Sequence, residues 1–238
     1  MGLYDRDTIQ DARAVGTFSS RVYGWMAMGL AFTAAIAFFI YQSGLYVSLM
    51  PFWWVWSFAT LGVAMGINFA IKRLSIPGVI GLFLTYAGLE GILFGTILPA
   101  FAAAYGGQVI WAAFATASVV FGLAALYGVF TKADLTSLGR ILTFALIGLI
   151  AVSLLFFIMS FFMNLTFMHL VISWIGLVIF VGLTAYDAQT VKSYSMQADV
   201  QSVMSYKLSM IMALRMYINV IMIFWYLLQI FSSQSRRS

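Results

Sequence analysis

"VIFVGLTAYDAQTVKSY", Val178 to Tyr194, places an aspartate at the end of a run apolar enough for lipid. A membrane-spanning helix needs roughly 20 mostly apolar residues. A charge at membrane depth costs about 3 kcal/mol or more, so it faces a bundle interior, pairs, or lines a water path. Asp187 must do one of these. A carboxylate near a helix C-terminus also opposes the helix dipole, so local electrostatics do not account for it. Tyr186 before it and Gln189 after it add further polar groups to the same turn.

Composition extends the reading to the whole chain. Of 238 residues, 63% are hydrophobic and 8% charged, and the mean hydropathy is +1.02. Soluble domains carry roughly a quarter of their residues charged, so this chain is expected to be an all-α, polytopic membrane protein with no second, soluble domain. The formal charge of +5 is spread singly through short connections, which argues against nucleic acid, where a basic stripe with interleaved aromatics is expected. Cysteine is absent and His169 is the single histidine. Disulfides and thiol chemistry are therefore excluded, and neither a metal site nor a cofactor is expected.

Hydrophobic runs at 22–43, 50–71, 77–101, 108–130, 140–163, 167–190 and 206–231 predict seven transmembrane helices. Pro51 and Pro77 fall in first turns, where a missing N–H is harmless, and Pro99 falls near an end. Only 191–207 reads as a sizeable loop. The chain divides into a polar N-terminal segment, 1–21, a seven-helix domain, 22–231, and a short tail, 232–238. The first 20 residues lack the apolar core of a cleavable signal, so the first hydrophobic helix is expected to act as an uncleaved anchor. The Met-Gly start, with Arg6, completes no myristoylation motif.

Positive charge sets the expected orientation. Arg6, Arg13, Arg21, Lys72, Arg73, Lys132, Arg140, Lys192 and Lys207 fall on one side of the seven helices, and only Arg236 and Arg237 on the other. That bias puts the N-terminus in the cytoplasm and the C-terminus outside. "PFWWVWSF" (Pro51–Phe58) and Trp111 then mark the outer interface. A reporter fused after Ser238 is expected to score as external; a cytoplasmic signal would overturn both the orientation and the odd helix count.

"GVAMG" (Gly62, Gly66) and "GILFG" (Gly91, Gly95) have the small-xxx-small spacing that lets helix backbones approach closely. Packing is the expected role for both. Three charges fall inside helices: Glu90 in the third, Asp187 in the sixth and Arg215 in the seventh. Glu90 reads either as a hydrogen-bonded neutral carboxyl, since desolvation favours the uncharged form, or as a proton or cation ligand. Arg215 has Asn219 at i+4 on the same helix face. The sixth and seventh helices are consecutive and antiparallel, so Asp187 and Arg215 can reach similar depth and pair, a contact that serves structure as readily as transport.

"SRVYGWMAMGLAFTAAIAF" (Ser20–Phe38) resembles the first helix of bacterial members of the Bax inhibitor family. "GLTAYDAQTVK" (Gly182–Lys192) resembles its sixth-helix signature, and "MALRMYINVIMIFWYLLQIF" (Met212–Phe231) its last helix. The resemblance runs the length of the chain. It implies a compact seven-helix bundle with the last helix near the centre. It also implies one of two activities: a pH-dependent calcium leak through an aspartate dyad, or restraint of a membrane-anchored ATP-dependent protease. Asp187 matches the first aspartate of the dyad, Asn219 stands at the second, and Arg73 matches a basic residue that pairs with the dyad in the closed form. The departure at Asn219 matters, because a facing carboxylate pair shares a proton and an amide does not titrate.

The expected function is an ion leak or ion-homeostasis protein, passing calcium or protons, with a polar latch of Asp187, Asn219, Arg215 and Arg73 and a second charge at Glu90. The alternative is a non-catalytic modulator of a membrane-anchored protease or another membrane complex. An enzyme is not expected. The Gly-x-Gly-Asp setting of intramembrane aspartyl proteases and the Gly-x-Ser-Gly of rhomboid-type proteases are both absent from the sequence.

Overall fold

A computed structural model describes residues 3–70, 74–160, 162, 166–197 and 202–235, with side chains from Thr17 onward except at 65, 67–70, 166 and 197. Helices make up nearly all of the described residues, and none of those residues lies in a strand. The elements are α1 (Leu3–Gln42), a single-turn α2 (Tyr46–Leu49) running through a 3-10 turn (Met50–Phe52) into α3 (Trp53–Ala70), α4 (Ile76–Tyr105), α5 (Gly107–Phe130), α6 (Thr136–Met159), α7 (Thr166–Gln197) and α8 (Val203–Ser235). Among the described residues, seven segments are long and apolar enough to cross a membrane: Thr17–Gln42, Tyr46–Ala64, Ile76–Tyr105, Gly107–Phe130, Thr136–Met159, Phe167–Met196 and Val203–Ser235. The chain is an all-α, seven-span membrane protein.

Several boundaries depart from the sequence reading. The expected 191–207 loop is mostly helix, because α7 continues through Gln197 and α8 begins at Val203. Polar residues there read as loop, yet a helix extending past the hydrocarbon can carry them in water. Pro99 lies inside α4, which runs on to Tyr105; neighbouring helices and side chains let membrane helices tolerate proline. Gly106 has φ +84° and is the whole connection between α4 and α5. A side chain is strained in that conformation and glycine is not. Gly44, φ +72°, plays the same part after α1.

Hydrocarbon offers hydroxyl groups no water, so they bond back to their own helices. Thr85 donates to the Gly81 carbonyl at 2.8 Å, Ser118 to Phe114 at 2.9 Å and Thr184 to Phe180 at 2.7 Å. This is why serine and threonine scattered through the spans do not interrupt them.

The chain forms two compact units. The first comprises residues 1–104 and 191–217. Here α1 packs on α4 through small residues. A Cβ at Gly91 would lie 2.8 Å from Ile36 Cβ and 2.9 Å from the Thr33 carbonyl oxygen, and one at Gly95 would lie 2.9 Å from Ile40 Cβ. Trp25, Phe83 and Tyr217 stack edge to face, with Trp25–Phe83 centroids 6.3 Å apart and Phe83–Tyr217 centroids 5.7 Å apart. The Arg21 guanidinium sits 5.0 Å from the ring centroid of Tyr206. The "GVAMG" motif does not behave as expected: among the described residues, a Cβ at Gly62 or Gly66 would meet nothing within 4 Å. Small residues permit close packing, but only where a partner helix is present.

The second unit comprises residues 105–190 and 218–238. Gly128 of α5 lies against the backbone of Ala185, Gly139 of α6 lies under the ring of Tyr186, and Gly176 of α7 lies against the ring of Tyr226. The turn of α7 around Asp187 is thus gripped closely from two sides.

Burial differs sharply between spans. In the best apolar window of α8, 61% of residues are buried, against 6% for α6 and 6% for Tyr46–Ala64. The last helix is the most enclosed of the seven, and most exposed apolar side chains lie on the others, among them Trp53, Trp54 and Trp111.

A buried carboxylate contact between the last two helices

Asp187 is 2% exposed and Asn219 is 4% exposed, both in the second unit. The Asn219 Nδ2 donates to Asp187 Oδ2 at 2.8 Å, joining α7 to α8. A hydrogen bond of this kind is roughly twice as strong when the carboxyl is ionised as when it is neutral. The helix periodicity explains the local arrangement. Leu183, Thr184, Ala188 and Val191 share the buried side of α7 with Asp187, while Ile221, Ile223 and Phe224 bury the same stretch of α8. A carboxylate lodged among such residues needs a polar partner, because an unsatisfied buried one costs several kcal/mol. The asparagine spends a donor on Asp187, and its carbonyl oxygen remains a hard acceptor.

Gln189, two residues further on, has a different task. Its Nε2 donates to the Ala133 carbonyl at 2.7 Å, and its Oε1 accepts from the Leu135 amide at 2.9 Å. The side-chain amide thereby pairs with the backbone of the 131–135 connection as a strand would. Sequence reasoning noticed Gln189 but gave it no partner, since its contacts are 54 and 56 residues away. Gln189→Leu removes both bonds, worth about 1 kcal/mol each, and the Leu135 amide is expected to exchange hydrogen about tenfold faster by mass spectrometry. Unchanged exchange would show that the connection holds itself.

That connection lies outside the spans and carries Asp134, whose Oδ1 accepts from the Thr136 amide at 2.9 Å. Hydrogen bonds from Thr136, side chain first and backbone second, hold this carboxyl below its usual 3.8. A depressed folded-state value means that the cap contributes fully above about pH 4 and is lost as pH falls through the folded value.

Two of the other candidates belong to the first unit. Glu90 is 5% exposed, in the first unit, midway along α4. Arg215 is half-buried on α8, also in the first unit, one turn before Asn219. Arg73 lies outside the described residues.

Seven apolar spans, a last helix more buried than the rest and an enclosed carboxyl bonded between the last two helices define a class of polytopic membrane protein. Residues 15–236 match the family model described as "Inhibitor of apoptosis-promoting Bax1". The chain is 56% identical over its full length to an uncharacterised protein of Chlamydia muridarum that it covers completely. It is 32% identical to the inner membrane protein YbhL of Escherichia coli K12, over 96% of this chain and 97% of the relative. A Deinococcus radiodurans protein is 34% identical over 92% of each chain. The chain belongs to the Bax inhibitor family.

Proposed function

We propose that this family member is an ion leak or ion-homeostasis protein of a bacterial inner membrane, acting without catalysis, in which the Asp187–Asn219 contact is a polar latch. The likeness to YbhL, an inner membrane protein by name, supports the location. The observation that carries the reading is the 2.8 Å bond between a carboxylate and an amide, both enclosed, on the two final helices. Calcium is the first ion to test, because carboxylate and amide carbonyl oxygens are its preferred ligands, and opening this contact would offer both. Calcium flux into vesicles holding the purified protein is expected to rise at least about tenfold in Asn219→Leu, which removes the fastening and keeps the carboxylate, the size of effect that losing about 1.4 kcal/mol of interaction produces. Flux equal to that of protein-free vesicles in the wild type would remove the reading.

One feature favours a second reading, a modulator of a membrane-anchored ATP-dependent protease. Helix α1 begins at Leu3, well ahead of the hydrophobic run that starts at 22. The 3–16 stretch carries Asp5, Arg6, Asp7, Asp11 and Arg13 and forms a polar helical extension ahead of that run. Co-purification of such a protease that is lost on deleting 3–16, together with absent flux, would select this reading.

A further inference from the structure

The first unit holds a second enclosed carboxyl, Glu90, that the Asp187 contact does not use. Tyr86 stands one turn before it on α4 and donates its hydroxyl to Glu90 Oε1 at 3.0 Å. The ring of Tyr86 meets that of Tyr217 edge to face, with centroids 5.8 Å apart. Tyr217, on α8, has no exposed surface, and its hydroxyl lies 2.6 Å from Thr33 Oγ1 of α1. Thr33 in turn donates to the Ala87 carbonyl at 2.9 Å. A threonine hydroxyl has one proton, and it is spent on Ala87. The tyrosine must therefore be the donor in the Tyr217–Thr33 bond.

These contacts fix a direction. Tyr217 gives to Thr33 and Thr33 gives to Ala87, a chain that ties α8 to α1 and α1 to α4. Phe83 closes on the other side of Tyr217. The Tyr217 ring is thus a wall, and Tyr86 is held against it with its hydroxyl on the carboxyl. Nothing in the packing of apolar helices requires this. A leucine at position 90 would fill the space without the several kcal/mol that a buried polar group costs when its bonding is incomplete.

We propose that Glu90 is a proton-binding site, with Tyr86 the hydroxyl that follows the proton and Tyr217 and Thr33 the residues that position it. On uptake, a proton from hydronium bonds to a carboxylate oxygen, leaving water, and the Tyr86 hydroxyl turns from donor to acceptor. On release, the carboxyl O–H bond breaks, the proton passes to water, and Tyr86 donates again. Tyr86 stays neutral throughout. Titratable groups in electrostatic reach of the carboxyl include Tyr86 from α4 and Tyr217 from α8. Helix α1 contributes Thr33, which does not titrate, and α8 also carries Arg215, two residues before Tyr217.

The test is infrared difference spectroscopy of the full-length protein in lipid, between acidic and alkaline samples. A carboxylic-acid carbonyl band is expected on acidification, retained in Asp187→Asn and lost in Glu90→Gln. In Tyr86→Phe its frequency should shift, because the carboxyl O–H loses its hydrogen-bond acceptor. Should Glu90→Gln fail to fold, Glu90→Asp serves instead, with a displaced band. No Glu90-dependent band between about pH 5 and 9, a window that spans the usual range of buried carboxyls, would overturn the proposal. So would a band that Tyr86→Phe leaves unmoved. The band reports protonation alone, so the outcome is independent of whether calcium crosses the membrane.

Discussion

The double substitution Gly91→Val, Gly95→Val is expected to lower the melting temperature of the detergent-solubilised protein by about 10 °C. At both positions a Cβ would fall 2.8–2.9 Å from Cβ atoms of α1, and at Gly91 it would also press on the Thr33 carbonyl oxygen at 2.9 Å. Backbone atoms cannot turn aside as the end of a long side chain can. Helix α1 must therefore move away from α4. Overpacking costs about 1–3 kcal/mol per site, and each kcal/mol shifts a chain of this size by about 2–4 °C. The control is Gly62→Val, Gly66→Val, where no described atom lies within 4 Å and the expected change is below about 2 °C. Equal losses from the two pairs would mean that the valines act through helix propensity and not through the α1–α4 contact.

That contrast shows what the sequence made legible. Both glycine motifs have identical spacing, and spacing reports only which residues share a helix face. Whether another helix lies against that face depends on tertiary arrangement, which no local pattern contains. The seven apolar runs were readable for a stronger reason: hydrocarbon leaves a chain little choice but helix, and about 20 residues fill its thickness. Ends were less so. Once past the hydrocarbon, residues such as Lys192 and Ser193 are solvated equally well in helix or loop, so α7 runs on unseen to Gln197. Among polar residues, a charge in an apolar run is conspicuous, and Glu90 and Asp187 were found that way. The Tyr86–Glu90 bond was accessible too, being an i,i+4 pair on one helix face. Thr33 and Tyr217 were not. Each is unremarkable alone, and 184 residues separate them.

Asn219→Asp is expected to make ion flux depend steeply on pH, rising about tenfold from pH ~6 to pH ~8, the range over which a shared-proton pair can titrate. The same interval should change wild-type flux by no more than about twofold through this contact, because the Asn219 amide does not titrate and offers Asp187 the same donor at each pH. In the variant two carboxylates face each other where the amide now donates at 2.8 Å. If both were ionised at that distance, their repulsion would be about 6 kcal/mol at an effective dielectric constant of 20. That exceeds what one latch hydrogen bond supplies, even to a charged group, at about 1.5–3 kcal/mol. The pair must therefore retain one proton to stay closed, and losing it at alkaline pH drives α7 and α8 apart. Flux is measured in vesicles at several pH values for the wild type, Asn219→Asp and Glu90→Gln, the last to remove any contribution from the first unit. A flat profile from a folded Asn219→Asp protein would mean that separating these two side chains does not open a path, and the latch reading would fail with it. A steep wild-type profile that persists in Glu90→Gln and disappears in Asp187→Asn would show that Asp187 titrates despite its amide partner, and the asparagine would then be a ligand in the path and not its fastening.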